Sequence, residues 1–184
     1  MNHISAIIDF FANKNILILG FGREGQSSDK FIRKYLPYQH LTIADKKEVS
    51  FVETNVTVIS GDDYLESIND FDIVIRTPGI SLNRIDIPFK EEIITSQTDI
   101  FLQHFKDQTL GITGTKGKST TTSLIYHILK NNRPNVLLGG NIGILLFDLI
   151  ENIDNETIIV TELSAHRLEY VHHAPHISIL LNSV

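Results

Sequence analysis

The chain has 184 residues, 42% of them hydrophobic, a net charge of −6 and no cysteine. That length allows one domain or two small ones with real cores. The acidic balance argues against a nucleic-acid binder, which would carry a basic face. The lack of thiols excludes disulfides and thiolate metal sites and fits a reducing cytoplasm. No apolar run approaches the ~20 residues of a membrane span. Asp9 interrupts the apolar N-terminal stretch, which lacks a cleavage pattern and does not read as a signal peptide.

From the N-terminus, Asn15-Ile16-Leu17-Ile18-Leu19 reads as a buried strand. A helix over Gln26 to Tyr35 follows, with Phe31, Ile32 and Tyr35 inward. Further strands are expected at Leu41–Ala44, Asn55–Ile59 and Phe71–Ile75. Continuous Val/Ile/Leu runs alternating with helices predict a doubly wound parallel sheet, that is, a Rossmann-like α/β domain. Between the first strand and helix lies Gly20-Phe21-Gly22-Arg23-Glu24-Gly25, a G-x-G-x-x-G, and Asp45 ends the next strand. This is the context of a nucleotide fingerprint: glycines for close backbone approach, a helix N-terminus for a diphosphate, an acid for ribose or base. A tight turn without a ligand is the alternative. Arg76-Thr77-Pro78-Gly79-Ile80 closes the fourth strand and so falls on the same rim.

The polar stretch His104-Phe105-Lys106-Asp107-Gln108 marks a change of unit, giving expected domains over 1–106 and 107–184. The second unit reads as strand 109–113, helix 118–130, strand 135–138, helix 145–152, strand 157–162, helix 165–173 and strand 176–181. Its first strand runs into Gly114-Thr115-Lys116-Gly117-Lys118-Ser119-Thr120. Strand, glycine-rich loop, Lys, hydroxyl and helix form a phosphate-binding layout. Backbone amides face an anion, the Lys reaches the terminal phosphates, and the Ser hydroxyl can hold Mg²⁺. The spacing departs from a strict Walker A, because Ile112 stands where its first glycine belongs. Gly139-Gly140-Asn141-Ile142-Gly143 is a second glycine-rich turn. Glu162 ends an apolar strand, where a Walker B acid would hold Mg²⁺. His172, His173 and His176 read as solvated or packing histidines, because Pro175 breaks the helix that would gather them around zinc.

In order and spacing these motifs resemble the Mur ligase family of peptidoglycan synthesis. The match runs through G-x-G-x-x-G, Thr-Pro-Gly-Ile at 77–80, Gly-Ile-Thr-Gly-Thr-Lys-Gly-Lys-Ser-Thr at 111–120, Gly-Asn-Ile-Gly at 140–143 and Glu-Leu-Ser at 162–164. Lys116 is similar to the D-glutamate-adding branch, and the family's own loop also lacks the first Walker glycine. The resemblance implies a three-domain cytoplasmic enzyme. The first domain would bind the UDP part of a muramoyl substrate. Gly22, Arg23, Glu24, Gly25 and Gln26 would lie near the diphosphate, Asp45 and Lys46 near uracil or ribose, and Thr77, Pro78 and Gly79 in the same site. The central P-loop domain would bind MgATP through residues 114–120, with Lys118 and Glu162 catalytic and with Ser119 and Glu162 on Mg²⁺. Asn141 and Ser164 would face the UDP-sugar. The chemistry implied is phosphorylation of a substrate carboxylate by ATP, then attack by the amine of D-glutamate.

Two departures qualify this. Ala165-His166-Arg167-Leu168-Glu169 differs from the family's usual Ser-Phe-Gln-Leu-Glu. The family would also continue beyond Val184 into an Asp-His motif, a carbamylated lysine and an amino-acid-binding domain. The expectation is therefore a fragment with a partial P-loop domain, unable to complete ligation alone and open to association through its final strand. Two other readings stay open: a P-loop kinase of a small acceptor, and a non-catalytic nucleotide-binding Rossmann module.

Overall fold

The computed structural model describes residues 3–50, 55–82 and 88–182. The chain forms two compact units, Met1–Gln97 and Thr98–Val184. The sequence places the change of unit in the polar stretch after residue 103. The contacts instead group the residues from Thr98 onward with the second sheet.

In the first unit, α1 (His3–Phe11) precedes β1 (Ile16–Leu19), α2 (Arg23–Tyr35), β2 (Leu41–Asp45), β3 (Val56–Ser60), β4 (Ile73–Arg76) and β5 (Ile94–Thr95). The sheet order is β3-β2-β1-β4-β5, parallel throughout. Every residue of β1 and β4 is buried, as their unbroken aliphatic runs demand. α2 buries Phe31 and Ile32, while Tyr35 is half-buried with its ring 5.0 Å from that of Phe31. Arg33 and Lys34 in its last turn oppose the negative end of the helix dipole. Arg33 also bonds Asp29 one turn back at 2.7 Å. The short α1 went unread in the sequence. Its two buried side chains, Ile7 and Phe11, lie one turn apart, which is too brief a period to stand out.

The second unit runs from α3 (Gln97–Phe105) through β6 (Thr109–Thr113), α4 (Lys118–Asn132), β7 (Val136–Gly140), α5 (Leu146–Leu149), β8 (Ile158–Glu162) and α6 (Ala165–Leu168) to β9 (Ile177–Leu180). Its sheet order is β7-β8-β6-β9, again all parallel. Ile112, Val136 and Val160 centre the core, with Ile125, Tyr126 and Leu129 of α4 packed on them. β9 is less buried than its apolar run suggests. It is an outer strand, and Ile177 and Leu180 are 49% and 65% exposed. Residues 183 and 184, the expected tail, lie outside the described residues.

The helix expected over 165–173 stops at Leu168. Glu169 is extended and Tyr170 adopts φ 61, so the chain turns out of the helix. The main-chain N–H of His172 then donates to Asp99 Oδ1 at 2.7 Å. A long-range bond to a carboxylate overrides the local helical pattern here.

Candidate functional site

The first candidate site lies at the carboxyl ends of β1, β2 and β4, where the strand order reverses and doubly wound sheets take ligands. Gly20 adopts φ +90, a left-handed conformation open to glycine. A Cβ there would sit 2.1 Å from Thr77 Oγ1, and one at Gly25 would sit 2.2 Å from the Gly20 carbonyl oxygen. The two glycines thus let the turn fold tightly onto β4 and onto the start of α2. Thr77 is spent in that packing, since its N–H and hydroxyl both donate to Leu19 O, at 2.9 and 3.1 Å. Gly22 is the N-cap of α2 and is exposed with Arg23 and Gln26, whereas Glu24 is buried. Gly79 is also exposed and Pro78 half-buried.

Asp45 joins two of these loops. Its Oδ2 accepts the N–H of Phe21 at 2.7 Å, and its Oδ1 accepts that of Lys47 at 2.8 Å. The acid is therefore anchored beside the glycine turn, with lone pairs remaining on each oxygen for a ligand hydroxyl. Lys46 is exposed and lies 3.5 Å from Asp62.

The second candidate site surrounds the loop between β6 and α4. Gly114 and Gly117 have φ 139 and 82, and Gly117 caps α4. The side chain of Lys118 folds back over the loop, where Nζ donates to Gly114 O at 2.8 Å and Thr115 O at 3.2 Å. Thr115, Lys116, Gly117, Ser119 and Thr120 are exposed. A cation, a glycine-rich loop and a helix N-terminus thus come together, an arrangement that attracts phosphate.

Sheet register brings Glu162 to this loop. Glu162 pairs with Ile112, and the Leu163 N–H donates to Ile112 O at 2.9 Å. On the other side Gly140 pairs with Glu162 at close approach, since a Cβ on Gly140 would lie 2.5 Å from Glu162 O. That closeness sets Asn141 over the acid. Its N–H donates to Glu162 O at 3.0 Å, and its Nδ2 donates to Glu162 Oε1 at 2.8 Å. The Glu162 carboxylate is 1% exposed, and its Oε2 has no hydrogen-bond partner among the described residues. A buried carboxylate oxygen without a donor suits a hard cation. The carboxylate therefore fits Mg²⁺, and Ser119, exposed at the start of α4, offers a hydroxyl oxygen that could serve as a further ligand. Ser164, expected to face a sugar, is half-buried and stands as N-cap of α6.

Residues 112–182 match the family described as the Mur ligase middle domain. The chain is 31% identical over 192 aligned positions to the UDP-N-acetylmuramoylalanine–D-glutamate ligase of Clostridium botulinum (strain Okra / Type B1), covering 98% of this chain and 42% of that protein. The chain is similar to Mur ligases. A ligase of the same description from Clostridium kluyveri is 33% identical over 187 positions, covering 94% of this chain and 40% of that protein. The chain thus spans about two fifths of the length of the curated relatives it matches. A crystal structure of UDP-N-acetylmuramate:L-alanyl-gamma-D-glutamyl-meso-diaminopimelate ligase from Neisseria meningitides superposes with a TM-score of 0.49 at 19% identity, covering 94% of this chain and 61% of that one.

The missing Walker glycine has a packing reason. Ile112 is fully buried in the core that holds α4 against the sheet, so its position belongs to the strand and not to the loop. Two polar groups of the second unit escaped the sequence reading. Asn182 meets the phosphate-binding loop, with only its place after an apolar strand as a signal. Asp99 gathers His172 and His173, whose Nδ1 atoms lie 3.2 and 3.1 Å from its oxygens. Burial pushes the Asp99 carboxyl up, but the His172 main-chain bond and the two imidazoles outweigh it and leave it below the usual carboxylate range.

Proposed function

We propose that this chain supplies the UDP-substrate and ATP sites of a cytoplasmic ligase of peptidoglycan precursor synthesis, one that joins D-glutamate to UDP-N-acetylmuramoyl-L-alanine through an acyl phosphate. The reading is supported by the two glutamate-adding relatives and carried by one observation: the partnerless Oε2 of buried Glu162 on the strand beside the phosphate-binding loop.

In this reading the first unit holds the UDP moiety. The amides at the start of α2 meet the diphosphate, Asp45 and Lys46 reach ribose or uracil, and Pro78 and Gly79 line the same rim. The second unit holds ATP. Amides at the start of α4 meet the phosphates, and Lys118 exchanges its two carbonyl acceptors for phosphate oxygens, a stronger charge-assisted pairing. Mg²⁺, held by Ser119 and Glu162, would neutralise phosphate charge. Asn141 holds the Glu162 side chain through Oε1 and would leave Oε2 for that ion. Catalysis then consists of positioning and charge neutralisation, which is what phosphoryl transfer needs. The substrate carboxylate takes the γ-phosphoryl group, ADP leaves, and the D-glutamate amine displaces phosphate to form the amide.

Competition binding to the first unit tests this reading against a dinucleotide-binding module. UDP-N-acetylmuramoyl-L-alanine is expected to bind the 184-residue chain at least about tenfold more tightly than NAD. A preference for NAD would overturn the assignment.

A further inference from the structure

Residues 114–117 connect β6 to α4 and belong to neither, so something must hold their backbone. Asn182 does so from the end of β9. Its side-chain Oδ1 accepts the N–H of Thr115 at 2.8 Å and that of Lys116 at 3.0 Å, while its main-chain oxygen accepts the Thr115 N–H again at 3.1 Å. Leu181 N–H donates to Thr113 O at 3.0 Å, so β9 and β6 stay hydrogen-bonded up to this point. The approach is close: a Cβ on Gly114 would lie 3.1 Å from Asn182 N and 3.2 Å from Asn182 O. Gly114 is thus constrained by Asn182 as well as by its own φ of 139.

One oxygen that accepts from two successive amides occupies the geometry of an anion nest. A neutral amide oxygen does this without placing a negative charge beside the phosphates. Lys118 braces the same loop from within, through the carbonyls of Gly114 and Thr115. Between them, the lysine engages the Gly114 and Thr115 carbonyls and Asn182 engages the Thr115 and Lys116 amides. The amides at the first turn of α4 are left for the ligand, because a helix's first N–H groups have no intrahelical partner.

We propose that Asn182 is a positioning residue of the phosphate-binding loop, fixing the Thr115 and Lys116 amides so that the start of α4 is preset for a nucleotide's phosphates. This rests on the reading of that loop as an ATP site. The Lys116 amide is the cleanest reporter, since Asn182 Oδ1 is its acceptor.

The test uses the 184-residue chain, hydrogen exchange at single amides and MgATP titration. Asn182→Ala is expected to speed exchange at Lys116 at least tenfold and to weaken MgATP binding about tenfold, while UDP affinity in the first unit stays unchanged. Asn182→Asp, which keeps the acceptor, is expected to restore slow exchange at Lys116. Should the alanine variant not fold, Asn182→Leu repeats the test with the shape kept and the acceptor removed. Exchange at Lys116 as slow as in the wild type, or undiminished MgATP affinity, in a folded variant without the acceptor would overturn the inference alone. A wild-type chain that binds no MgATP would overturn the ATP reading, and the inference with it.

Discussion

A carboxylate that is 1% exposed needs a partner for each oxygen, and among the described residues Glu162 has one only for Oε1. Burial of charge on this scale is costly unless it is compensated. In the proposed reading a divalent cation at Oε2 would compensate it and give the residue a role in phosphoryl transfer. Glu162→Gln should therefore lower the Mg²⁺-dependent part of ATP affinity at least about tenfold while leaving metal-free ATP binding unchanged, because an uncharged amide oxygen is a poor ligand for Mg²⁺. Titration of ATP with and without Mg²⁺ checks this. An unaltered Mg²⁺ dependence would remove Glu162 from the metal site. Asp45 shows a different economy, because its oxygens already bind two backbone amides. A variant there would loosen the glycine turn as well as any ligand contact.

At the scale of elements, α3 and the segment after α6 are tied by Asp99 and its two histidines. The Asp99 carboxyl titrates below its ordinary value, so its stabilisation is fully present above about pH 4 and is lost as the pH falls through the lower folded value. Asp99→Asn is expected to lower stability at pH 7 by about 1–3 kcal/mol. The gap between variant and wild type should narrow below pH 4 as the wild-type carboxyl takes up its proton. Urea unfolding at both pH values measures the gap, and a constant gap would contradict the assignment. This tie also explains a limit of the sequence reading. The strands of both sheets were legible, except the two-residue β5, because aliphatic runs flanked by glycine turns carry their own period and breaks, and two residues carry none. The end of α6 was not, because Asp99 lies 73 residues from His172 and no local pattern records the bond. Asn182 escaped for the same reason: its target amides are 67 and 66 residues away. The position of the loop at 114–120 between strand and helix, by contrast, was readable because its glycine pattern is local, and the place of Glu162 because it ends an apolar strand.

Over the whole molecule, each of the two compact units has its own parallel sheet, its own glycine-rich turn at a helix start and its own acid at a strand end. Asp45 and Glu162 hold corresponding places, at the carboxyl ends of β2 and β8. The acids differ in what they can do: Asp45 is half-buried and bonded through both oxygens, whereas Glu162 is buried with one oxygen open. That contrast supports the proposed division, a hydroxyl-bearing ligand in the first unit and a metal-bearing one in the second. The central claim is that the second unit takes MgATP through Lys118. Titration calorimetry of MgATP into the 184-residue chain and its Lys118→Met variant tests it most directly. Saturable binding by the wild type, weakened at least about tenfold in a variant that retains its fold and its affinity for UDP, is the predicted result. No binding by the wild type, or equal binding by both, would contradict it.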